Sequence, residues 1–266
     1  MKKSLLVLTA ALLAGTAASA ADIYHPFYMP TKGGFLSDTN AMYQNVEKGD
    51  YDNLVLSEGI AYGVTDKFAV TGTVADAWYM DYPKDWPFGA KGHDRYDNPA
   101  FDFGVKYNLI DCPKSRVKVQ VGANYTQGTF SMNPLLNNAF YFDHHAKAFS
   151  GFVKAGFEVE EGFLPYVTGT VVKPIGKLEE QPFYAGRFGV YKTLTANLGA
   201  DLGVDYTWYS STDGDSKHGR EWDLDLALNY KLSDNTSIGL TGSYALDIKP
   251  GDVDYYSVGL NFKWAF

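Results

Sequence analysis

The last twelve residues, 255–266, read YYSVGLNFKWAF, and they decide the fold. Every second residue of this stretch is large and apolar, while Ser257, Asn261 and Lys263 occupy positions between them. The apolar set is Tyr256, Val258, Leu260, Phe262, Trp264 and Phe266. Because successive side chains of a strand point to opposite faces, this alternation predicts a β-strand with one apolar and one polar face.

The same alternation continues through most of the chain from residue 33 onward. Short and long polar connections alternate between the apolar-polar stretches, as an up-and-down transmembrane barrel requires. We therefore predict an all-β protein, a single up-and-down antiparallel barrel of twelve strands. The strands are predicted at residues 33–43, 52–63, 68–79, 100–109, 117–129, 146–159, 163–172, 183–191, 196–209, 220–231, 236–245 and 254–266. Residues 33–43 and 163–172 alternate poorly, so a ten-strand barrel is the alternative.

Composition excludes several other classes of protein. The 266 residues carry a formal charge of −8, and the mean hydropathy is −0.22. No apolar segment of about 20 residues follows residue 20, which excludes a bundle of membrane-spanning helices. One Cys excludes a disulfide scaffold, and the acidic balance argues against a nucleic-acid partner. The predicted strands are also longer than the roughly 5–6 residues usual in soluble sheets.

The N-terminus predicts export from the cytoplasm. Residues 1–20 combine a basic start at Lys2 and Lys3, a short apolar core and the small-residue cleavage site Ala18-Ser19-Ala20. This pattern is typical of a signal peptide, and the apolar core is too short for the alternative, a membrane anchor. Residues 21–32 are predicted to be an extended lead without an assigned role, and residues 33–266 to be the barrel.

Aromatic side chains cluster at the two ends of the predicted strands. Such clusters predict the aromatic girdles that membrane barrels place at the two lipid headgroup levels. The predicted girdle residues are Trp78, Trp208 and Trp222 beside long connections, and Tyr107, Tyr230 and Trp264 beside short turns.

The chain resembles the outer-membrane β-barrel proteins of Gram-negative bacteria. The cleavage site, the twelve alternating strands and the terminal aromatic strand carry this resemblance. Within that strand, the residues similar to the signal read by the outer-membrane assembly machinery are Tyr256, Leu260, Phe262, Trp264 and Phe266.

The resemblance implies an integral protein of the outer membrane, in contact with its lipid and lipopolysaccharide. It further implies periplasmic termini and short turns, with six long loops outside the cell. Narrow channels for nucleosides or acidic sugars and the outer-membrane phospholipase share this strand count, and no motif selects among them.

Charged residues on the polar faces are the best functional candidates. Carboxylates concentrate toward the predicted outer end and lysines toward the inner end, and rings of charge set the ion selectivity of pores. The predicted lumen-lining residues are Asp102, Lys106, Lys118, Lys154, Glu158, Asp201, Asp205, Glu221, Asp223, Asp225, Lys231 and Lys263. We expect a passive channel for small hydrophilic solutes or ions. The alternative is a barrel with a filled lumen that serves a structural or surface-interaction role.

Enzymatic and metal-binding roles have weaker support in the sequence. A membrane-embedded hydrolase would need a nucleophile beside a base, and His145 with Ser150 is the nearest pair. Their odd spacing places the two side chains on opposite faces of a regular strand. Adjacent His144 and His145 also point apart on extended backbone, so we predict no metal site and no cofactor. Cys112 falls in a predicted short turn.

One residue conflicts with the predicted register. Glu58 shares its parity with Leu54, Leu56 and Ile60, which would place a carboxylate toward lipid at considerable cost. We therefore expect a bulge or a register shift at Glu58, or a misplaced strand.

Overall fold

The computed structural model describes residues 23–46, 51–81, 100–110, 116–127, 147–175, 182–209, 219–249 and 255–266. They form twelve antiparallel strands in one closed barrel, in which each strand pairs with the next in sequence. The strands are β1 (Phe35–Val46), β2 (Tyr51–Thr65), β3 (Phe68–Asp81), β4 (Ala100–Ile110), β5 (Val117–Gln127), β6 (Lys147–Phe157), β7 (Phe163–Ile175), β8 (Phe183–Thr195), β9 (Leu198–Tyr209), β10 (Gly219–Ser233), β11 (Thr236–Lys249) and β12 (Tyr255–Ala265). No helix among the described residues is long and apolar enough to cross a membrane.

The seam between β1 and β12 closes the barrel. These strands stay paired from Leu36 opposite Ala265 to Val46 opposite Tyr255. Below that register the backbones of Phe35 and Phe266 exchange two hydrogen bonds, of 2.7 and 3.0 Å. The prediction of twelve strands is therefore confirmed, and the ten-strand alternative is wrong.

The two ends of the barrel differ in their connections. Five connections of two to six residues join β2 to β3, β4 to β5, β6 to β7, β8 to β9 and β10 to β11 at one end, where β1 begins and β12 ends. We call this the short-turn end and the opposite one the long-loop end. Gly162, with φ of 72°, supplies the left-handed residue in the turn between β6 and β7.

The outer surface of the barrel is apolar. Along β4, exposed and less exposed side chains alternate, and the exposed ones include Phe103 and Leu109 at 58% and 53%. Comparable side chains face outward on other strands, among them Phe149, Val167, Phe188, Leu202, Leu226, Leu240 and Leu260. A continuous apolar surface of this kind suits lipid, whereas in water it would be a large exposed patch.

Glu58 does face outward, and the predicted bulge or register shift at this residue is wrong. Pairing of β2 with β1 is regular around Glu58, and shifts in its pairing with β3 occur only near Asn53 and near Gly63. The carboxylate accepts hydrogen bonds from Ser37 Oγ at 2.6 Å and Thr39 Oγ1 at 2.5 Å. These two hydroxyls on the outer face of β1 satisfy Glu58 and explain why residues 33–43 alternate poorly.

The chain before β1 folds into the barrel rather than forming an extended lead. Tyr28 N–H donates to the His25 carbonyl over 2.8 Å, which closes a turn, and Ile23, Tyr24 and Phe27 are buried. The chain leaves the lumen at Gly33, where φ is 80° and the N–H donates to the Gly63 carbonyl. We call residues 23–30 the plug segment.

Candidate functional site

A cavity of about 660 Å³ lies inside the barrel, and side chains from all twelve strands and from the plug segment line it. Eight of the twelve predicted lumen residues are among its walls. They are Asp102, Lys106, Lys154, Asp201, Asp205, Asp223, Asp225 and Lys263.

The other four predicted lumen residues do not line the cavity. Lys118 and Glu158 form an ion pair of 3.5 Å at the short-turn end, beside the plug segment. Lys231 pairs with Asp234 over 2.8 Å at the turn after β10. Glu221 is only 2% exposed and accepts a hydrogen bond from the Tyr255 hydroxyl over 2.7 Å.

Arg187 on β8 holds three of the carboxylates together. Its guanidinium contacts Asp205 at 2.6 Å, Asp225 at 2.5 Å and Asp201 at 3.5 Å. Gly203 makes room for it, since a Cβ there would lie 2.3 Å from the Arg187 Cζ atom. Arg187 is absent from the predicted lumen residues, although the alternation along β8 places its side chain on the inner face.

Two tyrosines extend this network. The Tyr166 hydroxyl lies 2.8 to 2.9 Å from both Asp201 oxygens and accepts a hydrogen bond from Arg187 Nε over 3.1 Å. The Tyr255 hydroxyl lies 2.7 Å from both Glu221 and Asp223. One Asp205 oxygen, Oδ1, has no hydrogen-bond partner among the described residues. We call the carboxylates of β9 and β10 the acidic wall: Asp201, Asp205, Glu221, Asp223 and Asp225.

Lysines occupy other strands of the lumen. Lys106 lies on β4, Lys154 on β6 and Lys263 on β12, and we call these three the lysine group. Lys263 reaches Asp38 at 3.6 Å, whereas Lys154 donates to the backbone carbonyl of Pro26 over 3.0 Å. In a ring of twelve strands, β4 lies opposite β10, so Lys106 faces the acidic wall across the lumen. Asp102 on β4 and Asp38 on β1 line the cavity as well, so the lysine group shares its part of the lumen with two carboxylates.

The plug segment packs against aromatic residues of the barrel. The Phe27 and Tyr166 ring centres are 6.2 Å apart and nearly perpendicular, and His25 meets the Tyr191 ring edge-on at 5.2 Å. Lys154 Nζ lies 5.7 Å from the centre of the Phe27 ring. These contacts bury the segment at the short-turn end of the lumen.

Glycines of the barrel wall provide the space that the plug segment fills. A Cβ at Gly199 would lie 2.7 Å from the Tyr24 ring, and one at Gly156 would lie 3.0 Å from the Phe27 ring. A Cβ at Gly63 would lie 2.1 Å from the Thr31 carbonyl oxygen, where the segment leaves the lumen. In the sequence, these glycines indicate only small residues on the polar faces of strands. The site where the plug segment packs against the wall was therefore not predicted.

His25 makes docking of the plug segment sensitive to pH. Burial, with added repulsion from Lys118 and Lys154 against partial support from Glu158, lowers its pKa from 6.5 to about 4. Its Nδ1 accepts a hydrogen bond from the Phe27 N–H over 3.2 Å, which a proton on Nδ1 would abolish. Because the docked pKa is lowered, docking is strongest at neutral pH, weakens below about pH 6.5 and loses no more below about pH 4.

We therefore expect the conductance of the protein in planar bilayers to rise as pH falls from 7 to about 4. His25→Asn offers a neutral acceptor at every pH and should remove this part of the rise. Every other residue is the same in the two proteins, so the difference between the two curves isolates His25. Identical curves for the wild type and His25→Asn would contradict the expectation.

The predicted girdle residues lie near both ends of the barrel. Trp222 packs on Tyr206 with ring centres 4.5 Å apart, and Trp208 packs on Tyr184 at 5.6 Å. At the short-turn end, Tyr107 and Tyr230 are exposed and Trp264 packs on Phe266. The Trp78 side chain lies outside the described residues. Within the predicted assembly signal, Tyr256, Leu260 and Phe262 are exposed.

Several other predictions fall on parts of the chain that the structure does not describe. They concern the signal peptide at residues 1–20, Cys112, and the histidines His144 and His145. Ser150, the suggested nucleophile, is buried on β6. Within the described ranges, no group of three or more His, Cys, Asp or Glu side chains could hold a metal ion.

A closed antiparallel barrel with an apolar exterior and a charged interior defines an outer-membrane β-barrel protein. The outer membrane of bacteria is the location that this architecture indicates. Residues 167–266, less than half of the chain, match the family described as "Putative MetA-pathway of phenol degradation". No curated protein matches the sequence.

Solved structures of channels share the fold. The COG4313 outer membrane channel from Pseudomonas putida F1 matches with a TM-score of 0.69 at 11% identity, over 91% of this chain and 98% of that one. The NanC porin matches with a TM-score of 0.54 at 9% identity, over 86% and 98%. The KdgM porin matches with a TM-score of 0.50 at 10% identity, over 85% and 98%. At such identities the likeness concerns the fold.

Proposed function

We propose that the protein is a passive channel for small hydrophilic solutes and ions across the bacterial outer membrane. The observation that carries this proposal is the cavity of about 660 Å³, whose lining carries both lysines and carboxylates. A barrel whose interior only had to be filled would be more stable with apolar side chains there, because buried charges cost free energy unless they are paired. A polar lumen with lysines facing carboxylates instead suits water and dissolved solutes.

The likeness to channels and porins supports a transport role for this fold, although it does not extend to any particular solute. In this proposal the short-turn end faces the periplasm and the long-loop end faces outward. The apolar exterior contacts lipid and lipopolysaccharide, and the strand ending in Phe266 is read by the outer-membrane assembly machinery.

A second candidate function has one observation in its favour. The plug segment and the Arg187 network occupy part of the lumen, as in a barrel that is filled for stability and works through its surface. The two candidates differ in a single measurable property, because only the channel carries current.

The test is single-channel recording of the purified, folded protein in planar bilayers containing KCl. We expect discrete unitary currents, with a reversal potential under a KCl gradient that reports which ion the charged lumen favours. Permeation of small neutral sugars into protein-loaded liposomes would extend the result to hydrophilic solutes. Folded protein that never conducts, even after removal of the plug segment, would overturn the channel in favour of the filled barrel.

A further inference from the structure

We propose that the lysine group forms a binding site for a small organic carboxylate inside the lumen, with the solute packed against the Phe152 ring. The inference rests on the proposed channel function, and it names the class of solute that the lumen selects. The site consists of Lys106, Lys154, Lys263 and Phe152, and the plug segment forms its floor.

The three ammonium groups come from separate strands and line one cavity. The charges of Lys106 and Lys263 both act on Lys154 across the lumen. In the described part of the chain, neither Lys106 nor Lys154 forms an ion pair, and Lys263 lies 3.6 Å from Asp38. The charges of Asp38 and Asp102 act on Lys106, and that of Asp201 acts on Lys154, without direct contact. Three like charges in a narrow lumen repel one another, and an anion between them removes this repulsion.

The shape of the wall places Phe152 between two of these lysines. Gly122 on β5 pairs with Lys106 on one side and with Phe152 on the other. A Cβ at Gly122 would lie 2.3 Å from the Phe152 ring, so the ring lies across this glycine in the direction of β4. Lys154 follows Phe152 by two residues and shares its face of β6.

An aromatic ring flanked by ammonium groups matches a particular chemistry. A carboxylate would accept charge-assisted hydrogen bonds from the lysines, while a flat or apolar body attached to it would cover Phe152. An inorganic anion of the same charge would gain the first interaction without the second. The opposing acidic wall, with Arg187 already surrounded by carboxylates, repels the anion toward the lysines.

The test is calorimetric titration of the folded, detergent-solubilised protein with benzoate, which measures binding independently of conductance. We expect saturable binding of benzoate, much weaker binding of inorganic phosphate at equal concentration, and none of the neutral analogue benzyl alcohol. Lys106→Met should weaken benzoate binding about tenfold, because it removes one charged hydrogen-bond donor. Phe152→Ala should weaken benzoate binding while leaving acetate binding unchanged.

Lys192→Met is the matched control, because Lys192 pairs with Glu160 outside the cavity lining. It should bind benzoate like the wild type. Lys106 is preferred over Lys154 for the main variant, because Lys154 also holds the plug segment through Pro26.

Unchanged benzoate affinity in Lys106→Met would overturn the site, as would equal binding of benzyl alcohol. Equal affinities for phosphate and benzoate would overturn the role of Phe152 and with it the organic solute. Because binding and current are measured separately, a conducting protein that ignores benzoate refutes only this inference. A protein that binds benzoate without conducting refutes the channel.

Discussion

Deletion of residues 23–30 is expected to raise the unitary conductance in planar bilayers several-fold, the largest functional change that we foresee for this protein. The segment buries Ile23, Tyr24 and Phe27 inside the lumen at the short-turn end. Barrels of about eight strands are filled by side chains and those of sixteen or more enclose a wide channel, so twelve strands leave a lumen that one short segment can obstruct. Removing that segment should widen the route through the short-turn end.

A point substitution tests the same obstruction without shortening the chain. Gly199→Ala would place a methyl group 2.7 Å from the Tyr24 ring, which must then move. We expect an intermediate rise in conductance for Gly199→Ala. Gly169→Ala is the matched control, since a Cβ there meets nothing within 4 Å, and it should conduct like the wild type. Conductance unaltered by both the deletion and Gly199→Ala would show that the segment does not limit the current.

Replacement of Arg187 by Met is expected to produce the largest loss of stability. Arg187 is the cation shared by Asp201, Asp205 and Asp225, and its side chain is only 18% exposed. Removing one partner from a buried ionic network leaves uncompensated charge and typically costs about 3–5 kcal/mol. We expect the midpoint of urea unfolding in detergent to fall accordingly, with unchanged strand content of the folded state.

Two further variants identify the cause of this loss. Adding Asp205→Asn to Arg187→Met removes one of the orphaned charges and should restore part of the stability. Lys231→Met breaks a pair with Asp234, whose side chain is 75% exposed, and should cost less than about 1 kcal/mol. If Arg187→Met proved no more harmful than Lys231→Met, the network would not contribute to stability as argued.

The strands were predictable from the sequence because alternation is a local signal. Along β12, β4 and β10, large apolar residues alternate with small or polar ones. The local sequence therefore indicates which face of the strand each residue occupies. The even strand count and the alternation of short and long connections then leave an up-and-down barrel. At Glu58, the alternation pattern alone placed the side chain on the outer face, where it lies. The bulge or register shift that we expected there is absent.

The contents of the lumen could not be predicted in the same way. The plug segment carries no alternation, and its partners Tyr166 and Tyr191 lie more than 130 residues away. The alternation along a strand indicates the face on which a side chain lies, but not how far it extends into the lumen. It therefore cannot show which lysine contacts which carboxylate across the barrel. Parity did place Asp205 and Lys106 on the inner face. It could not show that Arg187 binds Asp205, or that Lys106 forms no direct ion pair within the described residues.

The seam between β1 and β12 has a consequence for the order of folding. Its two strands come from opposite ends of the chain, so their pairing carries the largest loop-closure entropy of any strand pair in the barrel. The seam is therefore expected to form last, after the neighbouring hairpins have made their local contacts. Asn261 on β12 bonds across it to both Asp38 and Asn40 on β1. Substitutions of these three residues should act mainly on the rate of opening, which makes this polar cluster a determinant of kinetic stability.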